Sequence, residues 1–64
     1  MKNRIEELRK EKNISQEEFA RAMEVSRQTI SSIENGRYNP SILLAYKVAK
    51  YFDLLIEDVF LFEE

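Results

Sequence analysis

Apolar residues along this chain recur at helical spacing. Between residues 3 and 12 only Ile5 and Leu8 are apolar, three positions apart on one side of an otherwise charged segment. Phe19, Ala20 and Met23 repeat that spacing, as do Ile30 and Ile33. Leu44, Ala45, Val48, Ala49 and Phe52 fall at i, i+1, i+4, i+5 and i+8, the broader stripe of a helix buried over much of its surface. The segments between are punctuated by capping chemistry. Asn13 tolerates the left-handed geometry that ends a helix. Ser15 with Glu18 three residues later forms a capping box, and Ser26 and Ser41 are further N-caps. Gly36 ends the third helix, Tyr38-Asn39-Pro40 is turn chemistry, and Asp53-Leu54 makes a bend. The pattern predicts an all-α, five-helix single domain over residues 1–64. Its first helix spans residues 3–12, its third residues 27–35 and its short fifth residues 56–60, with no repeat, linker or low-complexity segment.

Composition narrows the function classes. One Gly, one Pro, 44% hydrophobic and 34% charged residues fit a globular helical chain, and 64 residues build only a small core. With no cysteine and no histidine, disulfide staples, a Cys/His zinc site and the common catalytic bases are absent, so no metal and no cofactor is expected. Serines sit at caps or on one exposed face without a base to activate them, and the carboxylates scatter. An enzyme is therefore not expected. Paired acids such as Glu17-Glu18 and Glu57-Asp58 are first-turn residues that favour the helix dipole. No apolar run approaches membrane-spanning length, and nothing resembles a signal peptide, so a cytoplasmic location is expected.

The net charge of -2 argues against a nucleic-acid partner until its distribution is considered. Residues 1–12 carry five bases against three acids, residues 13–40 three against four, and residues 41–64 two against five. Acid is concentrated toward the C-terminal end, which leaves a less acidic surface in the N-terminal half.

That surface has unusual chemistry in the third helix. With Ile30 and Ile33 turned inward, Gln28 and Ser32 point outward, Ser31 and Asn35 lie beside them, and Arg27 flanks them. A solvated face in a chain this charged would more naturally carry Glu and Lys. Amide, hydroxyl and guanidinium groups near a helix N-terminus suit base edges instead: Gln pairs bidentately with adenine, Arg with guanine, and Ser serves either. The preceding helix adds to this. From Gln16 to Asn35 the inward positions are Phe19, Ala20, Met23, Val25, Ile30 and Ile33, the small Ala20 permits close helix crossing, and Met23-Glu24-Val25 forces a sharp turn. This is a helix-turn-helix pattern over residues 16–35.

The chain resembles the lambda-repressor-like, Cro-type helix-turn-helix family, also called the xenobiotic-response-element family. The carriers are R-K-E-K-N-I-S-Q-E-E-F-A, V-S-R-Q-T-I-S-S-I-E-N-G-R-Y-N-P-S and I-E-D-V-F, which together run from about residue 3 to residue 60. The resemblance implies a five-helix DNA-binding domain whose third helix enters the major groove of double-stranded DNA. Carried over position by position, it implies base contacts from Arg27, Gln28, Thr29 and Ser32. It implies phosphate contacts from Gln16, Asn35, Arg37 and Tyr38. It also implies a structural ion pair between Arg9 and Glu34, with Arg9 additionally able to touch phosphate. Relatives often carry Gly where this chain has Asn13, Glu24 and Asp53, so the resemblance leaves open a strained turn at Glu24, and Leu55 replaces a polar N-cap.

Residues 54–62 hold more apolar groups than one small core absorbs. Matching to the family puts Ile56 and Phe60 inside and leaves Leu55, Leu61 and Phe62 exposed together with Leu43 and Tyr46. A homodimer interface near residues 43–62 is expected. The alternative is a C-terminal tail folded back over the first helix as a short strand beside Met1 and Lys2. The leading functional reading is a sequence-specific transcriptional regulator, a repressor, bound as a dimer to a palindromic operator. A protein-interaction module on the same fold and an antitoxin or restriction-system controller stand as alternatives. No small-molecule ligand pocket is legible.

Overall fold

A computed structural model describes residues 1–62. The order of elements is β1 (Lys2–Asn3), α1 (Ile5–Glu11), α2 (Gln16–Met23), α3 (Arg27–Glu34), α4 (Ile42–Tyr51), α5 (Ile56–Val59) and β2 (Phe60–Leu61). Three helix starts follow from serine caps. Ser15 Oγ accepts from Glu18 N–H at 3.0 Å while Glu18 Oε1 accepts from Ser15 N–H at 3.0 Å, closing the expected capping box. Ser26 Oγ accepts from Thr29 N–H at 3.1 Å and Ser41 Oγ from Leu44 N–H at 3.1 Å. At Leu55, which has no side-chain acceptor, only half of such a box forms: Asp58 Oδ2 accepts from Leu55 N–H at 3.2 Å.

Four helices end in the same way. Residues 13, 24, 36 and 53 all take positive φ, at 59°, 64°, 82° and 59°. Each of these N–H groups bonds the carbonyl three residues back, and the next N–H bonds the carbonyl five back. The pairs are Asn13 to Lys10 and Ile14 to Arg9, Glu24 to Arg21 and Val25 to Ala20, Gly36 to Ile33 and Arg37 to Ser32, Asp53 to Lys50 and Leu54 to Ala49. This is the Schellman closure, and three of its four left-handed positions lack glycine. Ile14, Val25 and Leu54, each one residue beyond the turn, pack on the core.

Glu24 therefore adopts the glycine-like shape, with its carboxylate turned to Lys47 on α4 at 3.6 Å. A left-handed glutamate costs roughly 1 kcal/mol relative to glycine, and the exposed ion pair returns little. Glu24→Gly is expected to raise stability by about 1 kcal/mol and Tm by about 4–8 °C in a thermal melt. An unchanged or lower Tm would mean that the Lys47 contact outweighs the backbone strain.

The core joins all five helices: Ile5, Leu8, Phe19, Ala20, Met23, Ile30, Ile33, Leu44, Ala45, Val48, Ala49, Phe52, Val59 and Phe60 are buried. The stacked ring of Phe52 and the edge of Tyr51 hold Phe19 at centroid distances of 5.3 Å each. Val59 takes the fully buried place expected of Ile56, which is half-buried, and Val25 is likewise only half-buried.

The ends of the chain differ from a purely helical expectation. The first helix begins at Ile5 because Asn3 is in extended backbone, and the fifth ends at Val59 because Phe60 turns extended. The two form an antiparallel ribbon in which Lys2 pairs with Leu61 and Asn3 with Phe60. The tail thus folds back beside Lys2, yet this does not cover the apolar excess. Ile42, Leu43, Tyr46, Leu55 and Phe62 remain more than half exposed, and Leu61 is 40% exposed.

Candidate nucleic-acid interface

The α2 and α3 pair forms the most extensive packing between any two elements among the described residues. Ile30 and Ile33 are 0% and 1% exposed, which locks the rotation of α3 and commits its other side to solvent. Gln28, Thr29 and Ser32 emerge there and share one shallow concavity with Ser26 and Tyr38. Arg27 and Arg37, next in sequence to Ser26 and Tyr38, are exposed, and Asn35, also exposed, lines a separate concavity with Met1, Asn3 and Gly36. Three of the four residues matched to base contacts therefore meet in one place with one residue matched to phosphate. Ser26, a cap by sequence, joins them. Thr29 Oγ1 lies 2.9 Å from Ser26 Oγ, so its hydroxyl is held by the cap. The first turn of α3 carries no acidic residue, so its free N–H groups present an uncompensated positive end.

Beneath this surface lies a buried polar network. Arg9 Nε donates to Glu34 Oε2 at 2.8 Å, Arg9 Nη2 to Glu34 Oε1 at 3.3 Å, and Arg9 Nη1 to the Ile14 carbonyl at 2.9 Å. Gln16 Nε2 adds a bond to Glu34 Oε1 at 3.0 Å. The two charged side chains are 9% and 5% exposed. The hydrogen bond to Glu34 holds the Arg9 guanidinium above the usual arginine range, against the opposing effect of burial and with the charge of Glu34 assisting. Linking α1, the start of α2 and the end of α3, the network fixes the angle between the two helices of the motif.

Arg9 is buried with each of its three guanidinium nitrogens engaged once, and the second protons of Nη1 and Nη2 are not used in these bonds. Gln16 keeps its backbone N–H at the first position of α2 and a second amide proton for an outside acceptor.

Four of the five residues expected at a dimer interface fall at two separate sites, and the fifth, Phe62, is exposed and lines neither. Tyr46 and Leu55 line a mainly apolar groove with Ala49, Leu54 and Ile56, and Leu43 is one helical turn from Tyr46 on α4. Leu61 instead lines a concavity with Met1, Asn3 and Gly36, and the two depressions share no residue. Ile42, 85% exposed, is the residue the sequence pattern missed: it precedes Leu43 and stands one turn before Tyr46. Among the described residues no helix is long and apolar enough to cross a membrane.

The sequence profile of the helix-turn-helix family matches residues 5–59, nearly the whole chain. The chain belongs to the lambda-repressor/Cro-like helix-turn-helix family. It is similar to an uncharacterized HTH-type transcriptional regulator of Methanocaldococcus jannaschii, 48% identical over 100% of this chain and 97% of the relative. One from Archaeoglobus fulgidus is 50% identical over 100% of this chain and 90% of its own. Among solved structures, the restriction-modification controller protein C.AhdI from Aeromonas hydrophila superposes with a TM-score of 0.79 at 32% identity, covering 89% of this chain and 86% of that one. This helix-turn-helix chain is a DNA-binding transcriptional regulator.

Proposed function

We propose that this regulator binds a palindromic operator as a homodimer, with α3 of each protomer in the major groove, and represses transcription by occupying the site. The carrying observation is the concavity of Gln28, Thr29, Ser32 and Tyr38 backed by the fully buried Ile30 and Ile33. Gln28 reads adenine bidentately, Arg27 reads guanine, and Thr29 and Ser32 pack against neighbouring base edges. Gln16, Asn35, Arg37 and Tyr38 hold phosphates on either side of the groove and set register without reading sequence. The exposed apolar face of Ile42, Leu43, Tyr46 and Leu55 supports the dimer, whose two α3 helices read half-sites about 34 Å apart. With few cations near each α3, one protomer alone obtains little affinity from phosphates. The role is binding without catalysis, in the cytoplasm beside the chromosome, and needs no cofactor.

Selection of bound sequences from a random duplex pool tests this reading and supplies the operator. An inverted repeat with half-sites one helical turn apart is expected; recovery of no enriched sequence would favour a protein-binding role. On the selected operator, Gln28→Ala should lose roughly 1–3 kcal/mol of discrimination at one base position. Arg37→Ala should weaken operator and random DNA alike and flatten the salt slope by about 1. If Gln28→Ala weakens both DNAs equally, the side chain is a backbone contact instead. The likeness to C.AhdI favours a second reading, a controller of restriction and modification genes, which adjoining genes of those types would support.

A further inference from the structure

The side chain of Asn3 is committed to two roles by its hydrogen bonds. Its Oδ1 accepts from Ile5 N–H at 3.1 Å, starting α1, and its Nδ2 donates to the Ile33 carbonyl of α3 at 2.8 Å, with a longer bond of 3.3 Å to the Met1 carbonyl. The Ile33 carbonyl also accepts from Gly36 N–H at 3.0 Å, the bond that closes α3 and launches the loop carrying Arg37 and Tyr38. One oxygen thus receives both the loop and a tether from outside the motif.

The anchor of that tether is rigid. Asn3 pairs with Phe60, which is 1% exposed, and the next residue, Arg4, donates from its N–H to the Val59 carbonyl at 2.9 Å. Among the described residues the other hydrogen bond joining the ribbon to this loop is exposed and longer, from the Met1 nitrogen to the Gly36 carbonyl at 3.4 Å. Gly36 is also close to this strand, since a Cβ built there would lie 3.6 Å from the Met1 carbonyl oxygen.

We infer that Asn3 is a positioning residue for DNA binding, holding the end of α3 so that Arg37 and Tyr38 meet the backbone while Gln28 is seated in the groove. The inference rests on the reading of residues 35–38 as the backbone-contacting loop. Groups that must reach a ligand together lose affinity when their support slackens by a fraction of an ångström, and a neutral hydrogen bond contributes too little to unfold the domain when removed. Loss of Asn3 therefore acts on binding more than on folding.

A double-mutant cycle with Arg37 on the selected operator separates positioning from bulk stability. Asn3→Ala is expected to weaken operator binding roughly fivefold at a temperature where it is fully folded, and Arg37→Ala is expected to lose less in that background than in the parent. Losses that simply multiply would overturn the inference. A second readout needs no DNA. Asn3→Asp keeps the acceptor for Ile5 N–H but cannot donate to Ile33, so hydrogen exchange at Gly36 and Arg37 should accelerate by about fivefold or more while Phe19 and Ile30 stay protected. Unchanged exchange at Gly36 and Arg37 would equally overturn it. If Arg37→Ala leaves the parent's DNA binding unaltered, the loop reading fails, and the exchange experiment still decides whether Asn3 restrains the loop.

Discussion

Glu34→Ala is expected to destabilise the domain by about 3–5 kcal/mol in urea denaturation, the range seen when one member of a buried ion pair is removed. The truncation deletes the acceptor of three hydrogen bonds, from Arg9 Nε, Arg9 Nη2 and Gln16 Nε2, and leaves the Arg9 cation 8% exposed and uncompensated. A chain of 64 residues has a total stability on the order of 3–10 kcal/mol, so much of the variant should be unfolded at room temperature. The double variant Arg9→Met, Glu34→Leu removes both charges and should recover most of the loss, because the pair contributes far less than an orphaned charge costs. Equal destabilisation by single and double variants would show that the network is required as such. The raised pKa of Arg9 stabilises the fold across neutral pH, where its carboxylate partner carries the charge that causes the shift. This contribution is lost as pH rises through the folded value and is constant across neutral pH.

Leu43→Glu is expected to abolish dimerisation and to reduce operator affinity by roughly 10²–10⁴-fold, the advantage of two linked half-site contacts over one. Leu43 is 70% exposed, so the charge is harmless to the monomer fold, and thermal melting at low concentration should change little. In a two-fold interface the same glutamate enters from both protomers, placing like charges in an apolar contact built by Ile42, Tyr46 and Leu55. Sedimentation equilibrium and operator titration of the same samples check it. A parent that sediments as a monomer, or a variant that dimerises normally, would remove the α4 and α5 face from the interface. Phe62→Glu provides the comparison, since Phe62 is exposed and lies outside the groove lined by Tyr46 and Leu55; it should leave the dimer intact if α4 and α5 form the contact alone.

The helical elements were legible because their signals are local. Serine caps at 15, 26 and 41 mark the starts of α2, α3 and α4, which begin at residues 16, 27 and 42, and α3 ends one residue before the expected 35. The turns were legible in position and less so in shape. Glu24 is a poor left-handed residue by intrinsic preference, yet the Schellman bonds and the packing of Val25 hold it there. What sequence did not reveal is non-local. Asn3 looks like an ordinary helix start, and only the fold brings Ile33 within 2.8 Å of its amide. The full burial of Val59, with Ile56 only half-buried against the core, is likewise not visible in local spacing. The outward chemistry of α3 was readable because two isoleucines three apart fix its rotation, whereas the buried pair of Arg9 and Glu34 was implied by the family resemblance and not by local spacing.

The most direct test of DNA reading by α3 is an NMR titration of the labelled protein with its selected operator and with a duplex of scrambled sequence. The operator should shift the amides of Arg27, Gln28, Thr29 and Ser32 most strongly, with smaller changes at Arg37 and Tyr38, and the scrambled duplex should move mainly the latter two. Perturbation confined to α4, α5 and the terminal ribbon, with the α3 amides unmoved, would contradict the account.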